Sequence, residues 1–152
     1  MDAFDRRGAT VGLSMTVEER EQFLADAHVG VIAIEREDGP PLTVPIWYDY
    51  RPGGDLWILT TADSRKGKLL QEAGRFSLCV QDEVPPFYRY VSVEGPITSI
   101  KAADVEEDSR PMAHRYFGEE MGDTYVDSSD DQALKFTMTP HRWWTVDYSK
   151  LG

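Results

Sequence analysis

Apolar positions along the chain change their spacing several times, and each change marks an element. Thr16 and Glu19 stand three apart, the spacing of a capping box, and Phe23, Leu24 and Ala27 follow as an apolar stripe. That pattern predicts a helix from Thr16 to about His28, with Gly30 just beyond its end. Three β-rich runs follow, Val29 to Glu35, Leu42 to Tyr50 and Leu56 to Thr61. Their separators, Glu37-Asp38-Gly39-Pro40-Pro41 and Arg51-Pro52-Gly53-Gly54-Asp55, carry turn chemistry, so the runs read as antiparallel hairpins of a meander rather than parallel crossovers. Pro45 lies inside the second run and cannot donate to a ladder. The strand is therefore an edge there or is broken, with free backbone groups able to serve a ligand.

A short helix is expected from Ser64 through Leu69, Leu70 and Ala73, ended by Gly74, and then a strand from Arg75 to Gln81. After a loop with Pro85-Pro86 comes a long strand, Tyr88 to Ile100, with a bend at Gly95-Pro96. Ala102 to Phe117 reads as a helix that Pro111 kinks or divides. Gly118 to Asp131 reads as an acidic loop, and Lys135 to Thr139 and Arg142 to Tyr148 as the closing strand region. About six or seven strands in hairpin order with a few helices predict a mainly β fold with peripheral helices, an antiparallel barrel closed or partly closed. At 152 residues the chain suits one core, assigned to residues 13–152 behind a flexible tail, residues 1–12.

Composition narrows the partners. Sixteen Lys and Arg against 27 Asp and Glu give a net charge of −11, which opposes binding to nucleic acid or an anionic membrane. Any anion needs a local basic site. The first twelve residues hold no continuous apolar segment, so neither a secretory signal nor a membrane span is expected. The one cysteine, Cys79, excludes an internal disulfide and multi-cysteine metal sites within the chain, and it reads as a small buried hydrophobe. A reducing cytoplasm suits this composition.

The segment Thr60 to Leu70 carries the strongest chemical signal. Arg65, Lys66 and Lys68 fall in the first turn of the expected helix, where the dipole ordinarily favours acids. An anion in front of the helix would reverse that penalty, and free amides, Ser64 and the cations would together cradle a phosphate or carboxylate. Ser64 serving only as a cap, with the cations solvated, is the competing account. The proline-broken strand with Trp47 and Tyr48 tips the balance, because it offers a flat apolar wall beside the anion site. A planar phosphorylated ligand suits both features.

In order along the chain, Thr16-Val17-Glu18-Glu19-Arg20, Val44-Pro45-Ile46-Trp47-Tyr48, Leu56 to Thr61, Ser64-Arg65-Lys66-Gly67-Lys68-Leu69 and Val91-Ser92-Val93-Glu94-Gly95 resemble the flavin and deazaflavin oxidoreductases related to pyridoxamine 5'-phosphate oxidase. The resemblance runs from Thr16 to about Ile100 and implies a split β-barrel. It implies that Ser64, Arg65 and Lys66 hold the cofactor phosphate and that Thr60 and Thr61 line the neighbouring strand end. It further implies that backbone around Val44, Pro45, Ile46 and Trp47 faces the isoalloxazine or deazaflavin ring, and that the protein is a homodimer with cofactor sites between subunits. The chain is short for a true pyridoxamine phosphate oxidase, and Pro140 to Tyr148 lacks the basic, histidine-containing substrate motif expected there. The likeness is therefore to the branch using FMN or the deazaflavin coenzyme F-420. Lys68, an extra cation for a polyanionic tail, favours F-420 slightly. The expected activity is hydride transfer with a small organic substrate, the cofactor carrying the hydride. A non-catalytic flavin, deazaflavin or heme carrier, or a barrel dimer without a cofactor, are the alternatives.

Other signals read more simply. His28 suits a helix C-terminus, His114 a helix surface or interface, and His141 an exposed or packed imidazole with some chance of meeting substrate; their dispersion gives no metal motif. Asp127 to Asp131 has acidic density but lacks the glycine and distal glutamate of a calcium loop. Trp143 and Trp144, adjacent in a strand, should face opposite sides. Ser14 and Ser92 have no local histidine and acid, so nucleophilic hydrolysis is not supported.

Overall fold

The computed structural model describes residues 12–130 and 132–151; apart from Gly12, the expected N-terminal tail lies outside the described residues. Helix α1 (Val17–Ala25) begins at the capping box. Glu19 N–H donates to Thr16 Oγ1 at 3.1 Å and Thr16 N–H donates to the Glu19 carboxylate at 2.8 Å. The helix ends earlier than the apolar spacing suggests, because Asp26 is already extended.

Strands β1 (Gly30–Ile34), β2 (Leu42–Ile46), β3 (Asp49–Tyr50) and β4 (Leu56–Thr61) precede α2 (Arg65–Ala73) and β5 (Arg75–Asp82). Strand β6 (Arg89–Ala102) leads into a π-helical turn (Val105–Ser109), then α3 (Arg110–Phe117), α4 (Glu119–Asp127), β7 (Ala133–Met138) and β8 (Arg142–Asp147). Among the described residues eight strands form the sheet, in the order β2-β1-β5-β6-β7-β4-β3 with β8 added to β6, all described pairs antiparallel. This is the expected split barrel, a curled antiparallel sheet with helices at its margin.

One strand more than expected arises where the run Leu42 to Tyr50 breaks. Its first part pairs with β1 as far as Ile46↔Gly30, and its last two residues pair with β4 instead, Asp49↔Trp57. Pro45 indeed sits on an edge strand of the sheet. The expected meander is thus two hairpins in different halves.

Strand β6 joins those halves. Residues Arg89 to Pro96 pair with β5, Arg89 to Glu94 also pair with β8, and Ile97 onward pairs with β7 across a bulge. The register stays regular through Gly95-Pro96, where a bend was expected, and slips instead between Ile97 and Ser99. Gly95 is held by close approach: a Cβ there would stand 1.9 Å from the Thr139 carbonyl oxygen. Side chains alternate across the pleat, so Leu78, Val80, Val91 and Val93 meet Ile32, Ile58, Phe136 and Met138 in one contiguous core. Leu24 of α1 and Leu70 of α2 close its ends, both fully buried.

Two expectations are corrected. Cys79 is exposed: Phe76, Leu78 and Val80 occupy the inward positions of β5, so the alternation turns Cys79 outward. The acidic stretch after Phe117 is not a loop throughout but carries α4, whose Glu119 and Glu120 complement the dipole at its first turn. Pro111 divides the preceding helix as expected, taking the second position of α3, where its missing N–H costs nothing. Trp143 packs on the core margin while Trp144 faces outward, as adjacent strand positions require.

Gly95→Ala should destabilise the fold by about 1–3 kcal/mol or more, because a backbone carbonyl rather than a flexible side chain blocks the new methyl. Urea unfolding checks this; an unchanged midpoint would show that the two sheet halves do not need this close approach.

Candidate functional site

The first turn of α2 lies against the end of β4. Ser64 Oγ donates to the Thr61 carbonyl at 2.8 Å and accepts from Gly67 N–H at 3.0 Å, with Thr60 Oγ1 3.0 Å away. Gly67 is needed here, since a Cβ would fall 2.0 Å from the Thr61 oxygen. The turn is thereby pinned tightly, and the backbone N–H groups of Arg65 and Lys66 have no acceptor among the described residues. Arg65, Lys66 and Lys68 also have no ion-pair partner among them, in a chain of net charge −11.

Beside this turn is a cavity of about 530 Å³. Pro45, Ile46 and Trp47 from the end of β2 form one side; Thr60, Thr61, Ser64 and Lys66 form another. Seven of the ten residues singled out from sequence thus meet in one place. The other three do not line it: Val44 packs against the core, and Arg65 and Lys68 stand exposed on one face of α2, three residues apart. The Ser64 hydroxyl proton goes to the Thr61 carbonyl, so its visible task is to hold the turn.

The remaining wall comes from the helical arm, which sequence reasoning missed. Val105 and Ser109 of the π-helical turn, Met112 and Ala113 of α3, and Tyr125 and Val126 of α4 all face the cavity. Trp47 is the meeting point. Its ring is stacked on Tyr116 at 4.9 Å and 6°, edge-on to Phe117 at 4.9 Å, and 5.7 Å from Tyr125. From sequence Phe117 is only the end of an expected helix and Tyr125 lies in an expected loop, and nothing local ties either, or Tyr116, to Trp47.

Charged groups fasten the arm. Arg110 reaches Glu106, Asp123 and Asp127 at 2.9–3.0 Å, and His114 meets Asp123 at 2.6 Å. Asp127, read from sequence as part of an acidic loop, is therefore a partner of Arg110. Arg115 donates to the Ala25 and Asp26 carbonyls, both at 2.9 Å, closing the C-terminal end of α1. His28 stacks on Phe23 at 4.5 Å, and burial holds its imidazole below the ordinary value. His141 borders a separate open cavity of about 640 Å³ with Glu94 and Arg142. None of the three histidines lines the cavity beside α2, and among the described residues no cluster of three or more His, Cys, Asp or Glu could hold a metal.

The π-helical turn is anchored from beneath. Asp108 accepts from Asp104 N–H at 2.9 Å and from the Lys135 ammonium at 2.9 Å, and Lys135 also lies 4.4 Å from the Trp57 ring. Burial pushes the Asp108 carboxyl up, but the amide and the ammonium outweigh it and hold it below its ordinary value.

Chemically, the cavity offers Lys66, a cation with an unpaired amide at the start of α2, and an aromatic ring, Trp47, in the facing wall. That combination fits an anionic group attached to a planar ring. Residues 16–147 match the family model described as pyridoxamine 5'-phosphate oxidase. Among solved structures, a conserved hypothetical protein from Mycobacterium tuberculosis is 24% identical with a TM-score of 0.78, covering 95% of this chain and 92% of that one. An F420 reductase is 21% identical with a TM-score of 0.59, covering 81% and 94%. A FAD-binding protein from Mesorhizobium loti is 16% identical with a TM-score of 0.60, covering 88% and 96%. At these identities the likeness is one of fold. No curated protein sequence matches the chain.

Asp108→Asn tests the anchor of the cavity wall. A lowered folded-state pKa contributes stability that is complete above the unfolded value, near 3.8, and is lost as pH falls through the folded one. The variant should therefore be about 1–3 kcal/mol less stable than wild type at pH 7, with the gap closing toward pH 2. Urea midpoints across that range measure it, and a gap that does not change with pH would contradict the assignment.

Proposed function

The chain belongs to the pyridoxamine 5'-phosphate oxidase family, and from that premise we propose that it is a homodimeric, cytoplasmic oxidoreductase that binds a phosphorylated flavin or deazaflavin in the cavity beside α2. The observation that carries this reading is the meeting of Lys66, at the helix start of α2, with the Trp47 wall in one cavity. When bound, such a cofactor supplies hydride transfer to or from a small organic substrate.

The chain's own residues bind and orient. Lys66 and the α2 amides hold the anionic group, while Gly67 and Ser64 keep those amides aimed. Trp47, Pro45 and Ile46 support the ring from one side. Val105, Met112, Tyr125 and Val126 on the arm exclude water from it, which strengthens every electrostatic contact inside.

Between FMN and coenzyme F-420, the position of the cations favours F-420. Lys66 alone enters the cavity, whereas Arg65 and Lys68 sit outside it on the same turn. They would have no work for a ligand ending at a single phosphate. A polyanionic tail that continues beyond the cavity would use both. Likeness in fold to an F420 reductase supports the same choice.

A second copy is supported by the outer sheet face. Val31, Cys79, Ser92 and Trp144 are register partners in one row across four strands, with Val31 44% and Trp144 51% exposed. A row of this kind facing water invites a partner surface.

Calorimetric titration with FMN and with F-420 tests the cofactor. Lys66→Ala should weaken both by on the order of tenfold or more, as expected for a lost charge-assisted contact. Arg65→Ala with Lys68→Ala should weaken F-420 alone. A wild-type chain without affinity for either, or a Lys66→Ala variant that binds unchanged, would defeat the reading. Turnover of an electron acceptor separates an enzyme from a carrier.

Light scattering tests the assembly. Wild type should have twice the 17.2 kDa chain mass, and Trp144→Arg should shift it toward one chain. A wild-type monomer would remove the proposed subunit pairing.

A further inference from the structure

Trp47 and Tyr48 occupy a gap in the hydrogen-bonding plan of the sheet. Strand β2 ends its pairing with β1 at Ile46, and β3 begins its pairing with β4 at Asp49. Among the described residues neither residue between has a ladder partner, so the polar backbone of Tyr48 must be met elsewhere. A single side chain from the arm meets it. The Tyr116 hydroxyl oxygen accepts from Tyr48 N–H at 3.2 Å, and its proton lies between the His28 carbonyl at 2.6 Å and the Tyr48 carbonyl at 3.1 Å. The ring of the same residue is the one stacked within 6° of Trp47.

The two neighbours then diverge. The Tyr48 side chain points into the core, fully buried, and its hydroxyl donates to the Leu24 carbonyl at 2.7 Å. Trp47 is left facing the cavity, with its backbone direction set by Tyr48 and its ring plane set by Tyr116. Burial raises the Tyr116 phenol above its ordinary value, so it stays protonated and able to donate at neutral pH.

We infer that Tyr116 is a positioning residue for ring recognition: its hydroxyl fixes the Trp47–Tyr48 break and its ring fixes the tilt of Trp47, the surface on which a planar ligand lies. This rests on the ring-binding reading of the cavity given above. Tyr116 itself need not touch the ligand. Its effect reaches the ring end of the site and not the anionic end, because its hydrogen bonds and ring contacts among the described residues go to His28, Tyr48, Arg115 and Trp47 and not to Thr60, Thr61, Ser64 or Lys66.

Tyr116→Phe keeps the stacking ring and deletes only the hydroxyl. Titrated with FMN and with riboflavin, which has the ring without the phosphate, the variant should lose affinity for both by the same factor, on the order of tenfold. Lys66→Ala should weaken FMN far more than riboflavin. In a Trp47→Leu background, removing the hydroxyl should cost little more, since Tyr116 acts through Trp47. A residue that merely stabilised the fold would lower the melting temperature without this coupling. Unchanged affinity in Tyr116→Phe, loss confined to FMN, or full additivity with Trp47→Leu would each overturn the inference. If Tyr116→Phe does not fold, undiminished riboflavin affinity in Trp47→Leu alone overturns it. A wild-type chain that binds neither flavin nor F-420 overturns the underlying reading together with this one; one that takes F-420 alone is titrated in the same way with F-420 and its deazariboflavin core; wild-type binding with unaltered variants overturns this one alone.

Discussion

The backbone between Ile46 and Asp49 leaves one half of the sheet and enters the other, and a chain that does so must satisfy its polar groups outside any ladder. The solution found here draws in a distant helix. The Tyr116 hydroxyl accepts from Tyr48 N–H and shares its one proton between the His28 and Tyr48 carbonyls, and Arg115 beside it supplies donors to the carbonyls that end α1. Two consecutive residues of α3 therefore tie the arm to the barrel at two chain ends that would otherwise be unsatisfied. Because α3 is fixed there, α4 is carried over the end of β4, and a cavity is left between arm and sheet. The cavity is a consequence of a backbone problem solved at long range.

That origin explains which parts of the fold were legible beforehand. Hairpins announced themselves through Gly39-Pro40 and Gly53-Gly54, and the α2 ends through Ser64 and Gly74, because turn and cap chemistry is local. The role of Cys79 was legible too, had the period-two pattern of Phe76, Leu78 and Val80 been weighed above the average burial of cysteine. Helix α4 was obscured by its acids and by Gly122. That glycine reads as a breaker, yet it lets α4 pack on α3, where a Cβ would come within 3.0 Å of the Ala113 and His114 backbone. Its need is set by a neighbour, not by its own segment.

The candidate site divides along the same line. Residues within a few positions of each other, Thr60, Thr61, Ser64 and Lys66 in one stretch and Pro45 to Trp47 in another, could be grouped from chemistry and spacing, and they line one cavity. Tyr116 could not be grouped with Trp47, because they stand 69 positions apart with no shared pattern and their stacking exists only after the sheet has formed. Side chains supplied by a non-local element are visible in sequence only as one more apolar face.

In a molecule of net charge −11, an exposed Arg65 and Lys68 could be expected to find carboxylates, as Arg75 does with Glu35 and Arg89 with Asp82. They have none among the described residues, and they sit at a helix start where the dipole already disfavours them. Surface ion pairs are worth little, so failing to form one is a small loss. The dipole penalty is also small. What matters is that both terms have the same sign and fall on the same turn as Lys66, whose backbone amide is unpaired. A solvated basic patch would relieve neither term, whereas an anion extending along this turn relieves both at once and satisfies the amides as well. The arrangement therefore discriminates by length: a short phosphate answers Lys66, and only a longer anionic tail answers all three.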